Sequence, residues 1–100
     1  MIIIPSQSYI GCANSGHPHC YPPSALVEGS PDVLVNGIPA CRVGDSYATH
    51  GACRKHSPHT PVASTGSGSV LINGRPAHRK GDSAGCCNCV QGSANVIVGG

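Results

Sequence analysis

Two stretches of this chain are near copies of one another. Gly29 to Ser46 reads GSPDVLVNGIPACRVGDS and Gly66 to Ser83 reads GSGSVLINGRPAHRKGDS; at a constant offset Gly, Ser, Val, Leu, Asn, Gly, Pro, Ala, Arg, Gly, Asp and Ser recur in order. A third, shortened copy, GSANVIVGG, occupies Gly92 to Gly100. Such a repeat constrains the fold more than any local propensity. Each copy must adopt the same supersecondary structure, and none can bury its apolar face alone.

Each copy starts with a short aliphatic run: Val33-Leu34-Val35, Val70-Leu71-Ile72 and Val96-Ile97-Val98. Bounded by Gly and Ser, these runs predict short strands. The first two stop at Asn36-Gly37 and Asn73-Gly74, the strongest short signal for a type I′ hairpin, in which both central residues need positive φ. The return strands carry Pro39 and Pro76, which cannot donate to a ladder and so mark an edge or a bulge. They end at the turn signals Gly44-Asp45 and Gly81-Asp82. Ile2 to Ile4 read as a strand opening the first unit, and Ala94 to Val98 as the strand that closes the last. The expectation is one all-β domain over residues 1–100, with three hairpin-like units (about 1–45, 46–82 and 83–100) set pseudo-threefold around a central axis. A plain antiparallel meander is the alternative. No convincing helix longer than a turn or two is expected.

Composition says what must hold such a fold together. Phe and Trp are absent, Tyr9, Tyr21 and Tyr47 are the aromatic residues, and Gly plus Pro make up 23 of 100 residues. A thick core cannot be built from this, so the seven Cys and six His become the candidate staples. The opening Met1-Ile2-Ile3-Ile4 runs straight into Pro5 and has no signal-peptide pattern. Tyr9-Ile10-Gly11-Cys12 lacks the apolar segment a lipoprotein box requires. The expectation is therefore synthesis in the cytoplasm, where thiols and metal ligands are favoured over disulfides; an odd cysteine count agrees. The basic residues, Arg42, Arg54, Lys55, Arg75, Arg79 and Lys80, give a net charge of +2 and read as a solvated surface, with poor support for nucleic-acid binding.

Almost all His and Cys lie between the repeated strands. Local spacings include His17-x-His19-Cys20, Cys53-x-x-His56, His56-x-x-His59 and Cys86-Cys87-x-Cys89. None is a finger spacing, and the positional argument is stronger. His50 lies five residues after Asp45 and Cys86 four after Asp82, so equivalent exits from two repeats deliver ligand-type residues to one level. Loops that gather at one end of an axis would then form a tetrahedral zinc site. Against this, a single His near a turn is ordinarily a solvated residue. Cys41 reads as a small buried hydrophobe, and His78, in the matching slot, as exposed or partly packed. Enzymatic function is not expected: Cys and His can pair as nucleophile and base, but the sequence supplies no oxyanion hole or sizeable pocket wall, and the repeated Gly-Asp pairs are turn chemistry.

The segments VLVNGIPACRVGD and VLINGRPAHRKGD resemble the repeat of PAAR-motif proteins, named for a Pro-Ala-Ala-Arg element that appears here as Pro39-Ala40-Cys41-Arg42 and Pro76-Ala77-His78-Arg79. The likeness spans about residues 10–100; the Gly-Asp that often opens the family is missing from the first unit. The resemblance implies a small conical domain of three β-repeats converging on a tip stapled by one structural zinc ion, held by three His and one Cys. Carried over, the thiolate is Cys86, the first-loop imidazole is His17 or His19, and the middle loop supplies His50 and His59, with His56 in reserve. It also implies the partner: the blunt end of a trimeric β-helical spike, VgrG-like in type VI secretion or the central spike of a phage-tail-like particle. Such a protein sharpens the spike for membrane piercing, touches the target membrane transiently, and leaves the cell on the spike. Effector or cargo proteins are a further class of partner, and none is expected to be fused here. The second reading is a free-standing zinc-binding adaptor or regulatory module.

Overall fold

In the computed structural model, which describes residues 5–17, 21–51 and 57–99, the repeats become hairpins. Strand β1 (Leu34–Val35) pairs antiparallel with β2 (Ile38–Pro39), and β3 (Leu71–Ile72) with β4 (Arg75–Pro76). Each turn is Asn-Gly with both residues at positive φ: 51° and 83° at Asn36-Gly37, 53° and 77° at Asn73-Gly74. The register sets Leu34 opposite Pro39 and Leu71 opposite Pro76. The neighbouring Ala40 and Ala77 amides donate to Val33 and Val70, so the prolines sit where no N–H is needed. The Pro39 and Pro76 carbonyls accept from Ile10 and Val43, so the return strands are not free edges. Among the described residues there is no helix. The third copy forms no described hairpin: Ile97 pairs in a single bridge with Ser6. The strand expected at Ile2 to Ile4 lies outside the described residues.

The serine that opens each copy explains why the runs start where they do. Ser30, Ser67 and Ser93 are buried, and each hydroxyl accepts the amide three residues on, from Val33, Val70 and Val96, at 2.9 Å. These bonds turn the chain into the strand. The same serines join the copies. The Ser30 hydroxyl donates to Asn73 Oδ1 at 2.6 Å, that of Ser67 to the Gly99 carbonyl at 2.6 Å, and Ser93 Oγ accepts from Asn36 Nδ2 at 3.3 Å. First touches second, second touches third, and third touches first.

Three further segments close a ring of backbone bonds. Ser8 N–H donates to the His78 carbonyl at 3.0 Å, His78 to Cys41 at 3.1 Å, and Cys41 to Ser8 at 3.1 Å. The bridges Tyr9–Ala40, Arg42–Ala77 and Arg79–Gln7 flank this ring. On one side Val35, Ala40, Ile72, Ala77 and Val98 form an apolar cluster; another cluster joins Cys12, Leu26, Cys41, Tyr47, Ala84, Cys87 and Cys89. Tyr9 packs against both. Cys41 is a buried thiol, as expected, and donates to the Glu28 carbonyl.

Two expectations are corrected. His78 is wholly buried. Its Nδ1 lies 2.8 Å from the Thr65 carbonyl and must carry the proton there, so Nε2 accepts from the Tyr47 hydroxyl at 2.7 Å. Second, the Arg42 and Arg79 side chains are almost entirely buried. Each guanidinium clamps the aspartate three residues on, Asp45 or Asp82, and reaches back to the Gly29 or Gly66 carbonyl. The same carboxylates also accept the Arg42 and Arg79 amides. Burial alone would raise both carboxyls, but the arginine bonds outweigh it and hold them below the usual carboxylate range.

Burial holds the His78 imidazole below its ordinary value, outweighing the opposite pull of the Thr65 carbonyl and the Asp82 and Asp45 charges. Folded His78 is neutral, whereas in the unfolded chain it takes a proton near ~6.5. Its contribution to stability is therefore complete above that pH and is lost as the pH falls below it. Unfolding free energy measured from pH 7.5 to 5 is expected to fall up to ~1.4 kcal/mol per pH unit more steeply for the wild type than for His78→Gln. Parallel slopes would show that His78 does not stay neutral in the fold.

Candidate metal centre

Three loops bring ligand atoms together, and each is shaped by local pairing. His17 and Tyr21 form an antiparallel bridge, with the His17 amide donating to the Tyr21 carbonyl at 2.9 Å. His50 and His59 exchange both backbone bonds at 3.0 Å. A pair that does so projects both side chains to the same face. The two ends of the connection from Ser46 to Thr65 are thus paired with each other: Ser46–Val62 is bridged as well, and the Thr49 and Thr60 hydroxyls meet at 2.6 Å. Cys86 sits in a tight turn closed by the Ala84 amide on the Cys87 carbonyl, with Gly85 at φ 86°. The Ser83–Asn88 bridge holds the base of that turn, and the Asn14–Cys89 bridge ties it to the first loop.

The donor atoms of His17, His50, His59 and Cys86 all lie within 4.8 Å of one another. His59 Nε2 is 2.9 Å from His17 Nε2 and 2.7 Å from His50 Nε2, and Cys86 Sγ is 4.0 Å from His50 Nε2. Ligands about 2.0–2.3 Å from a tetrahedral zinc are spaced by ~3.3–3.7 Å, so small adjustments of these side chains admit an ion. Proton chemistry argues the same way. His50 Nδ1 lies 2.8 Å from the Pro22 carbonyl and carries the hydrogen, so neutral His50 turns a lone pair toward the cluster. One proton on His59 Nε2 cannot satisfy both imidazole nitrogens facing it. A cation satisfies all of them, and a donor set of three imidazoles and a thiolate suits a borderline-soft divalent metal. The four residues can therefore hold a metal ion.

Partial burial, and then the facing His50 and His59 rings, push His17 below the ordinary imidazole value. That keeps it in the deprotonated form a metal needs. Cys87 Sγ lies 2.8 Å from Cys86 Sγ, but burial, and then the adjacent Cys86, push its thiol up to about 12. At neutral pH it stays a thiol and a poor ligand. Of the residues named from the sequence, His17, His50, His59 and Cys86 are brought together; His19 and the reserve His56 lie outside the described residues. Cys12, Cys41, Cys86, Cys87 and Cys89 are all free thiols.

Tyr21 is the site residue that sequence reasoning missed. Its ring stacks on His17 with centroids 4.2 Å apart and planes 10° apart, and meets His50 and His59 edge-on at 5.2 and 4.9 Å. Its hydroxyl donates to the Ser57 carbonyl at 2.9 Å. Gly51, which follows His50, allows this: at φ 92° a Cβ there would stand 2.4 Å from the ring. Gly51→Ala is expected to lower stability by about 1–3 kcal/mol from the left-handed backbone alone, and further from displacing Tyr21. Thermal melts of the variant check this, and an unchanged melt would mean that Tyr21 does not sit against Gly51.

A family model described as PAAR motif matches residues 54–100 of this chain. The comparison with curated proteins gives no match.

Proposed function

From the match of the PAAR-motif family model to residues 54–100, we propose that this chain is a PAAR-motif protein and the tip of a membrane-piercing spike. PAAR-motif proteins are structural spike-tip proteins that associate with spike proteins. In this reading the whole chain is one domain of three β-units around an axis. It caps the blunt end of a trimeric β-helical spike, VgrG-like or of a phage-tail-like particle, and is carried on it out of the cell to the target membrane. One zinc ion, bound by His17, His50, His59 and Cys86, supports the tip and takes part in no reaction, so the protein is not an enzyme.

The observation that carries the reading is the face made by the aliphatic runs. At equivalent places in the three copies Val35, Ile72 and Val98 turn inward to one cluster, while Leu34, Leu71 and Ile97 stand 59, 61 and 57 % exposed. Leu34 and Leu71, together with the inward-turned Val35, Ile72 and Val98 and with Val33, Val70 and Val96, line a cavity of about 300 Å³. Exposed apolar surface contributed in equal parts by three copies suits a partner of true threefold symmetry. Metal held by three separate loops replaces the core that those loops lack.

Co-purification with a trimeric β-helical spike, combined with metal analysis, tests both halves. Expected are one zinc per chain and one chain per spike trimer, with binding lost on Leu34→Asp and Leu71→Asp at unchanged metal content. A chain that exchanges its metal readily and ignores every spike trimer would instead be a free-standing zinc-binding module.

A further inference from the structure

The ring of backbone bonds has an occupant at its centre. Gln7 Nε2 lies 2.8 Å from the Ser8 carbonyl, 3.0 Å from that of Cys41 and 3.1 Å from that of His78. These are the three carbonyls of the ring, so one amide nitrogen caps all three. The bridge pattern puts Gln7 where the other copies have Ala40 and Ala77, and two methyl groups leave room for one long side chain. Its orientation is fixed: exchanging Oε1 and Nε2 would set an oxygen against three carbonyl oxygens.

The atom left over is Oε1. Gln7 is 1 % exposed, and its Oε1 has no hydrogen-bond partner among the described residues. Gln7 is also one of the residues lining the cavity under the docking face, where its neighbours are aliphatic. Buried carbonyls are seldom left unpaired, because losing water without a replacement is costly.

We propose that Gln7 Oε1 is a polar contact point of the docking face, and that the spike end seated there places a hydrogen-bond donor, a main-chain N–H or a hydroxyl, at its centre. This rests on the docking reading above and adds the partner's chemistry to it: an aliphatic rim around a single donor. The donor also fixes specificity, since an apolar plug of the same shape would bury Oε1 unpaired.

The affinity of the full chain for a VgrG-type spike trimer, compared with that of Gln7→Met, tests the proposal. Methionine keeps the length and removes the acceptor. If the trimer presents a donor, Gln7→Met binds about 10-fold or more weakly, because the donor is stranded. Equal or tighter binding overturns the proposal while leaving the docking reading intact; a wild-type chain that binds no spike trimer removes both. Because Gln7→Met also gives up the Nε2 bonds, the wild type supplies a second measurement. In the saturated complex the Gln7 side-chain carbonyl 13C resonance is expected to move downfield as Oε1 accepts a bond, and a resonance that stays in place overturns the proposal.

Discussion

Chelation is expected to take away most of this protein's resistance to heat. A structural zinc site contributes on the order of 10 kcal/mol of apparent folding free energy, against a total of roughly 5–15 kcal/mol for an ordinary domain. The core here is two small clusters, built of Ala, Cys and aliphatic residues around a single buried tyrosine, Tyr47. A strong chelator should lower the melting temperature by more than ~20 °C, and readded zinc should restore it. His59→Ala should remove the ion, because His59 Nε2 is the atom that faces both His17 and His50. Cys86→Ser should lower metal content, and full occupancy in that variant would take Cys86 out of the site. A melting curve that does not move while metal analysis shows the ion gone would detach the metal from the fold's support.

Asp45→Ala should produce the next largest loss. The Asp45 carboxylate is 2 % exposed. It accepts the Arg42 amide, Arg42 Nε and Nη2 at 2.8–2.9 Å, and Arg75 Nη2 at 3.2 Å. Removing it strands a buried guanidinium, which costs about 3–5 kcal/mol. Asp82→Ala should cost less, because the Asp82 side chain is 12 % exposed and, among the described residues, its ion pair is with Arg79 alone. Replacing Arg42 and Asp45 together by Met and Leu should recover part of the Asp45→Ala loss, since two apolar groups leave no unpaired charge. Urea unfolding of the two single variants and the double variant measures this directly. Equal effects of Asp45→Ala and Asp82→Ala would mean that Arg75 adds nothing.

How much of this was legible in the sequence depended on how far each cause acts along the chain. The Asn-Gly turns are local: two residues that accept positive φ between aliphatic runs decide the hairpins at 36–37 and 73–74. The Gly-Asp turns are as local, with Asp45 and Asp82 amides closing on the Arg42 and Arg79 carbonyls. The meeting of His50 and Cys86 followed from position, because equivalent exits from a repeat lead to equivalent places; His59 came from the family resemblance, which left His17 and His19 as alternatives. His78 misled because what buries it is remote. Tyr47 lies 31 residues away, and in the other full copy a cysteine fills the same slot. Tyr21 was invisible for a similar reason: its place depends on Gly51, thirty positions along, having no side chain. Arg42 and Arg79 looked like surface charges until the fold set aspartates and glycine carbonyls around them.

The ring through Ser8, Cys41 and His78 carries a consequence for how the chain comes into being. Two of its three links involve His78, and the neighbouring Gln7 amide pairs with Val96. A nascent chain that has emerged only as far as the second hairpin's turn holds an opening segment whose partners His78, Lys80, Ser93, Val96 and Val98 are still to come. Closure must wait until residues 78–98 have been made, so folding is expected to be late and slow for a domain of this size, as long-range closure of this kind tends to be.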